Sequence, residues 1–360
     1  MTQNTTFLRD AFFREWLLVA ALAGLVISSF QLGRLPLYTM SEITPLFLLL
    51  ALFVAVKGIE NSGLLFRLGL RLERGAYLPV KLVVITFVLS MVVTIDVSLV
   101  TMIPLVMALN IRQRDRLVIL VALTAHVGAA LMPFGTPQNL FIFSFYPVAT
   151  LSFIREIAPF TLGMLSVFLV FALFTRTTRI SETAEEHAAV DIYHAVLHGL
   201  MLLLVVLCVL RVLPPVSALL AIVYPLLFDR ASLRVDYGLL ATFLCFIGLA
   251  GNIGELISAD LRHPHHVFLL SALLSQLISN VPTTLLLTPF TAEWKALLWG
   301  SNVGGFGSLI AAMANLITYK LYCAHRNGNH GGVFMLKFIV AGYGAFAVGI
   351  GLFFGLKWVG

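Results

Sequence analysis

Residues 277–290 read LISNVPTTLLLTPF and place the polar hexapeptide SNVPTT, residues 279–284, between two apolar half-runs. Pro282 interrupts the helical hydrogen-bond ladder within this hexapeptide. The chain has 360 residues, of which 60% are hydrophobic and 11% are charged, whereas soluble domains carry about 25% charged residues. The sequence therefore predicts an all-α polytopic membrane protein, with SNVPTT at membrane depth.

Several other apolar runs are too short to cross a bilayer alone, since a hydrocarbon core takes about 20 apolar residues per helix. Short runs that follow one another are typical of re-entrant hairpins and of helices broken in mid-membrane. The sequence predicts hairpins at residues 78–109 and 266–290, and broken helices at residues 117–149 and 294–322.

The two halves of the chain resemble each other. In a first alignment residues 90–104 lie over 275–289, and in a second alignment residues 125–140 lie over 301–316. The residues brought into register include Ser90 with Ser275, Thr94 with Ser279, His126 with Asn302, Gly128 with Gly304, and Asn139 with Asn315. Two matches in the same order with nearly equal offsets predict an internal duplication.

The duplication defines the predicted domain organisation. Residues 1–178 form the first repeat, residues 179–213 hold a linker and an extra helix, and residues 214–360 form the second repeat. About nine spanning helices result. Because equivalent helices of the two repeats are separated by an odd number of spans, the second repeat has the inverted membrane topology. The first hairpin then enters from the cytoplasm and the second from outside.

Lys and Arg residues support this topology through the positive-inside bias. Seventeen of the 23 Lys and Arg residues fall on the cytoplasmic side when the N-terminus lies inside. We therefore expect a multi-pass protein of the cell (inner) membrane, with its N-terminus in the cytoplasm and its C-terminus outside. The same asymmetry explains the net charge of +6, so no nucleic-acid partner is predicted.

The hairpin tips and helix breaks are the predicted binding site. Helix N-termini inside a membrane favour anions, and freed carbonyls with hydroxyls favour a small cation. A kinked core helix would explain one such motif, but four in symmetric positions favour a site for a small anionic substrate. The predicted substrate-binding residues are Thr94, Asp96, Thr136, Asn139, Ser279, Asn280, Thr283, Asn302, Gly304 and Ser308. A sodium ion is expected near Thr94, Gly135, Ser279 and Gly305.

Asp96 is the charged residue of the first tip. A charge at this depth costs at least about 2.5–3.5 kcal/mol and marks function in most membrane proteins. His126, on the following broken helix, is the nearest titratable partner. The pair is predicted either to carry a proton or cation, or to be a hydrogen-bonded pair that fixes the hairpin. The run of histidines in residues 262–266 falls in a predicted outer loop, which favours a solvated loop over a metal site.

The segments TIDVSLVTMIPL, GAALMPFGTPQNL, SNVPTTLLLTPF and SNVGGFGSLIA resemble the ion transporter superfamily over essentially the whole chain. That group includes divalent anion/sodium symporters, citrate-transporter-like permeases and arsenite-pump membrane subunits. The resemblance implies a homodimer in which two mobile transport domains move by an elevator-like motion.

The family's tip motifs fall on residues 94–96 and 279–281. The second copy matches at Ser279 and Asn280. The first departs from the pattern, because Ile95 stands where an Asn is expected and Asp96 adds a carboxylate. This difference leaves room for proton coupling.

The function predicted from these features is secondary active transport of a small anion, such as a di- or tricarboxylate or similar oxyanion, coupled to sodium or protons. Arsenite or antimonite efflux and sodium/proton antiport are the alternatives within transport. No cofactor beyond the coupling ion is expected. No metalloprotease motif, paired membrane aspartates or Ser–His arrangement indicates an enzyme, and opposed hairpins fit alternating access better than an open channel.

Overall fold

A computed structural model describes residues 2–64, 67, 77–109, 111, 113–175, 191–256, 261–324 and 331–357, with side chains from Trp16 onward. Residues 179–190 of the predicted segment 179–213, and several of the predicted cytoplasmic Arg residues, lie outside this described part.

The described residues form fifteen α-helices and no β-strand. The first seven helices are α1 Thr2–Leu32, α2 Met40–Asn61, α3 Leu78–Val92, α4 Ile95–Ala108, α5 Arg114–Ala130, α6 Pro137–Phe145 and α7 Thr150–Phe174. The other eight are α8 Ile192–Val209, α9 Leu220–Phe228, α10 Tyr237–Leu256, α11 Pro264–Ile278, α12 Asn280–Leu287, α13 Trp294–Gly304, α14 Met313–Ala324 and α15 Gly331–Lys357. Short 3-10 turns occupy Pro215–Leu219, Arg230–Leu233 and Thr288–Phe290.

Several helices have the length and composition of membrane spans. Within the described residues, five qualify, namely Met40–Asn61, Thr150–Phe174, Ile192–Val209, Arg230–Leu256 and Gly331–Leu356. The prediction of an all-α polytopic membrane protein is confirmed by the helix content and by these apolar helices. The count of about nine spans, the inverted repeat and the domain bounds stay predictions.

Helix pairs occupy the segments predicted as hairpins and broken helices. α3 and α4 meet at Thr94, and α11 and α12 meet at Ser279. The helix breaks lie between α5 and α6, at residues 131–136, and between α13 and α14, at residues 305–312.

The backbone at each hairpin tip is tied to a break. The Ile95 N–H, at the start of α4, donates to the Gly135 carbonyl at 3.2 Å, and the Asn280 N–H, at the start of α12, donates to the Ala311 carbonyl at 2.9 Å. Ser279 has φ 75° and ψ 153°, a backbone region that is essentially restricted to glycine. The tip of the second hairpin is therefore strained, and its neighbours hold it in place.

Small residues let each hairpin lie directly against a broken helix. α3 packs on α5 and α11 packs on α13. A Cβ atom added at Gly128 would lie 2.2 Å from Ser90 Oγ and 2.3 Å from the Phe87 carbonyl oxygen, and one added at Gly304 would lie 2.5 Å from Ser275 Oγ. Close backbone approach of this kind is a common basis of helix association in membranes.

Replacement of Gly128 by Ala is expected to destabilise the protein. The added methyl group meets the Phe87 backbone oxygen, which cannot rotate away, and overpacking of this kind costs about 1–3 kcal/mol. Gly344→Ala is the matched control, because a Cβ there meets nothing within 4 Å and Ala favours the helix. Thermal unfolding in detergent should show a lower Tm for Gly128→Ala alone, and equal Tm values for the two variants would contradict the packing described here.

The remaining helices surround these units. α1 packs on α10, α2 packs on α8, and α12 contacts α6. Asn252 of α10 donates to Ser28 Oγ and Ser29 Oγ of α1, both at 3.0 Å. α10 also packs on α12, which places it beside the second tip, where it forms one wall of the candidate site.

Candidate functional site

A cavity of about 30 Å³ lies where both hairpin tips and both helix breaks meet. Its walls come from α4, α5, α6, α10, α12 and α14. The lining residues are Ile95, Asp96, His126, Thr136, Pro137, Gln138, Leu239, Phe243, Asn280, Val281, Ala312, Met313 and Ala314. The fold thus brings together four of the predicted site residues, namely Asp96, His126, Thr136 and Asn280.

Four helices begin at this cavity, since α4, α6, α12 and α14 start at Ile95, Pro137, Asn280 and Met313. The first-turn N–H groups of a helix have no acceptor within the helix, and the helix dipole adds a partial positive charge at the same end. The Ile95 and Asn280 N–H groups are already bonded to the Gly135 and Ala311 carbonyls, and Pro137 has no N–H, so the four helix starts favour negative charge at the cavity mainly through their dipoles and remaining first-turn N–H groups.

Asp96 is the only carboxylate among the described residues that line the cavity. It lies in the first turn of α4, where the helix dipole favours a negative charge. Its carboxylate occupies the same electropositive region that would attract an anionic ligand.

His126 lines the cavity from α5, and its side chain is bonded to the second break. Its Nε2 pairs with Asn315 Oδ1 at 2.9 Å. Asn315 Nδ2 donates to the Gly305 carbonyl at 3.0 Å and to the Ser308 carbonyl at 2.9 Å. His126 Nε2 is thus bonded to an amide rather than to Asp96, and through that amide it is linked to the loop at 305–312.

Asn139 holds the first break in an equivalent way. Its Nδ2 donates to the Ala130 carbonyl at 2.9 Å and to the Met132 carbonyl at 3.3 Å. Its Oδ1 accepts from Asn302 Nδ2 at 2.8 Å. The internal alignment pairs His126 with Asn302 and Asn139 with Asn315, so each of these two bonds joins one half of the chain to the other.

Two hydroxyls at the site are buried without a hydrogen-bond partner, Thr136 Oγ1 and Ser279 Oγ. A buried polar atom left unpaired costs about 1–3 kcal/mol, and groups of this kind in native proteins call for an explanation such as a bound ion or water. Both residues belong to the predicted site; Thr136 lines the cavity, whereas Ser279 precedes the lining residue Asn280 and does not line it.

Other predicted binding residues are bonded to or packed against protein. Thr283 Oγ1 donates to the Ser279 carbonyl at 2.8 Å. Ser308 Oγ donates to the Gln276 carbonyl at 3.2 Å, and Gly304 packs on Ser275. A direct role for these three residues, and for Asn139 and Asn302, stays a prediction.

At the sodium site expected near Thr94, Gly135, Ser279 and Gly305, three backbone carbonyls already accept hydrogen bonds from the protein. The Thr94 carbonyl accepts from Ser98 N–H at 3.1 Å, and the Gly135 carbonyl accepts from Ile95 N–H. The Gly305 carbonyl accepts from Asn315. Carbonyl oxygens have two lone pairs, so these bonds leave the sodium prediction untested.

Sequence reasoning missed Gln276 on α11. Its Nε2 donates to the carbonyls of Gly304 at 2.9 Å and Phe306 at 3.0 Å, and its Oε1 accepts from Ser308 N–H at 3.1 Å. Gln276 thereby ties the second break to the second hairpin. The signal was present, because an amide within the apolar run 266–278 requires a partner.

Gln138, Leu239 and Phe243 also line the cavity and were not predicted. Gln138 lies in the first break, among residues already singled out. Leu239 and Phe243 belong to the largely apolar first half of α10, and no sequence pattern distinguishes these two residues from their apolar neighbours.

Comparison with known proteins gives a consistent result. The profile of the family described as "Citrate transporter" matches residues 14–318. An uncharacterized transporter of Methanocaldococcus jannaschii is 33% identical over 298 residues, which cover 79% of this chain and 81% of the relative. The inner membrane protein YbiR of Escherichia coli is 30% identical over 296 residues, which cover 75% of this chain and 77% of the relative.

Proposed function

The chain belongs to the citrate transporter family, and from this premise we propose that this membrane transporter is a secondary active carrier of a small oxyanion. The substrate class is a di- or tricarboxylate, and the coupling ion is a proton or sodium that acts at Asp96. The observation that carries the proposal is the convergence of four helix N-termini and one carboxylate on a single cavity.

The helix N-termini define the charge of the substrate. Backbone N–H groups and aligned dipoles bind carboxylate and phosphate oxygens without a buried positive side chain. The unpaired hydroxyl of Thr136 and the amide of Gln138 add neutral donors at the cavity wall. Asn280 lines the cavity as well, and its Nδ2 also donates to the Ser301 carbonyl at 3.3 Å. Such a site favours an oxyanion over a cation or a neutral solute.

Asp96 supplies the coupling. An ionised carboxylate and an anionic substrate repel each other in the same cavity, and the repulsion is strong where water is excluded. Protonation of Asp96, or a sodium ion beside it, removes this repulsion. Cation and anion therefore bind together, which is the requirement for symport.

The paired contacts support an inverted repeat. The first internal alignment carries Ile95 onto Asn280, and the second carries Gly135 onto Ala311. The two backbone bonds between tip and break are therefore equivalent under the alignments. We propose that nine spans result, with the N-terminus inside and the C-terminus outside, and that the carrier is a homodimer as in the superfamily it resembles.

The size of the cavity supports alternating access. A volume of about 30 Å³ holds about one or two water molecules and excludes a tricarboxylate. The helix starts must separate from Leu239 and Phe243 of α10 for substrate to enter. An elevator-like movement of the tips and breaks along α10 provides that separation.

Uptake into proteoliposomes tests the proposal. The reconstituted full-length protein is given labelled citrate, succinate, sulfate or arsenite under an imposed proton or sodium gradient. We expect saturable accumulation of a di- or tricarboxylate that requires one of the gradients. Failure of every oxyanion to move under either gradient would refute the proposal, and movement of arsenite alone would identify an arsenite permease instead.

A further inference from the structure

Three metal-ligating side chains meet away from the cavity, at the start of α8. His194 and His198 lie one helical turn apart on α8, and Asp229 follows the last residue of α9. One ligand atom from each of the three lies within 4.8 Å of the others. None of these residues lines the cavity described above, so transport of the substrate does not explain the cluster.

The distances fit a single ion. His198 Nε2 lies 2.9 Å from Asp229 Oδ2, and His194 Nδ1 lies 3.9 Å from the same oxygen. A tetrahedral zinc ion with bonds of about 2.0–2.1 Å holds its ligand atoms roughly 3.3 Å apart. The two separations from Asp229 Oδ2 bracket this value, and the ligand atoms of the two imidazoles lie within 4.8 Å of each other. Side-chain rotations that draw His194 inward would complete the site.

The surroundings fix the ligand atoms. His198 is fully buried, and a Cβ at Gly58 of α2 would lie 2.0 Å from its Nδ1, so that nitrogen faces the α2 backbone. Nε2 is therefore the nitrogen presented to Asp229. Ser232 Oγ donates to Asp229 Oδ2 at 2.5 Å and orients the carboxylate.

His194 has an outer partner of its own. Its Nε2 lies 3.9 Å from Asp191 Oδ2, and Asp191 is held in place because its Oδ1 accepts from the His194 N–H at 3.0 Å. This separation is longer than a hydrogen bond, so Asp191 would have to move closer to fix the ring and its tautomer as carboxylates do behind many metal-binding imidazoles. Nδ1 is then the nitrogen that faces Asp229.

A hydrogen-bonded His198–Asp229 pair would be enough to join α8 to α9. It does not account for His194, whose ring is nearly parallel to that of His198, with centroids 6.2 Å apart and an angle of 18° between the planes. Two imidazoles and one carboxylate suit divalent transition metals and are poor ligands for calcium or magnesium.

We propose that His194, His198 and Asp229 bind one divalent transition-metal ion, of which zinc is the type, and that the ion joins α8 to the end of α9 beside α2. An ion that binds the folded state and not the unfolded state stabilises the folded protein. The role proposed for the ion is to join helices, since the site lies outside the substrate cavity, and its three protein ligands leave the fourth coordination position open.

The test uses the purified full-length protein, stripped with a chelator and titrated with zinc by calorimetry and with cobalt by visible absorption. We expect one zinc ion per chain, tetrahedral cobalt bands and a higher Tm with zinc. His194→Ala and Asp229→Asn should each weaken zinc binding by at least about tenfold and remove the Tm increase. Asp229→Asn keeps an oxygen acceptor for His198 and Ser232, so its fold is preserved.

His266→Ala is the matched control, because it removes an exposed histidine from the run 262–266 and should leave zinc affinity unchanged. Wild-type protein without a zinc-dependent signal would overturn the proposal. So would unchanged affinity in both site variants, or a loss that appears in His266→Ala, because zinc would then bind the outer-loop histidines instead.

Discussion

Asp96→Asn is expected to abolish gradient-driven accumulation of substrate while substrate exchange across the membrane continues. Asparagine has the shape of the neutral aspartic acid, so the cavity keeps its geometry and loses only the group that takes up the cation. The gradient should then drive at least about tenfold less accumulation, since ion and anion binding are no longer coupled. Proteoliposomes loaded with unlabelled substrate measure exchange, and empty ones under a gradient measure accumulation.

Asp96→Glu is the companion variant, because it keeps the carboxylate and should retain part of the gradient dependence. Full accumulation by Asp96→Asn would remove Asp96 from coupling. Loss of exchange as well as accumulation would show instead that the Asp96 side chain binds substrate directly.

Asn139→Ala is expected to lower both stability and transport. The change leaves the buried Ala130 carbonyl without its side-chain donor, which costs about 1–3 kcal/mol. It also frees the break at 131–136, which carries Thr136 into the cavity. Misplacement of a binding group by about 1 Å can cost roughly 100-fold in rate, so the maximal uptake rate should fall by about tenfold or more.

Asn252→Ala provides the comparison. Asn252 is similarly buried and makes two side-chain hydrogen bonds where Asn139 makes three, but the bonds of Asn252 join α1 to α10. Tm values and uptake rates of both variants in the same liposomes separate the two effects. If Asn139→Ala and Asn252→Ala lower the Tm by the same amount and also lower the uptake rate by the same amount, Asn139 contributes only to general stability.

The positions of the hairpins and breaks are predictable from sequence because polar clusters with Pro and Gly interrupt apolar runs that a membrane protein would otherwise keep continuous. The break around residues 133–137 and the tip around residues 279–284 both follow from this rule. Asp96 is predictable as well, since a carboxylate in such a run is costly. The alignment of the halves identifies which tip belongs with which break.

The direction of each buried side chain is not predictable in the same way. The sequence predicts that Asn139, Asn302 and Ser308 bind substrate, and in the structure their polar groups bond to protein. An amide near a helix break has the same sequence pattern whether it faces a ligand or a carbonyl. One bonded partner of Asn139, Asn302, lies 163 residues away. For Gln276 the sequence indicates only that the amide needs a partner, and it does not identify the carbonyls of Gly304 and Phe306 as that partner.

The two side-chain hydrogen bonds that join the halves of the chain also constrain how the sequence can change over evolution. His126 and Asn315 are 189 residues apart, and Asn139 and Asn302 are 163 apart. Replacement of one member leaves a buried polar atom of the other unpaired, so accepted changes must come in pairs. Residues at these two separations should covary among relatives, and halves taken from two relatives are interchangeable only where both pairs match.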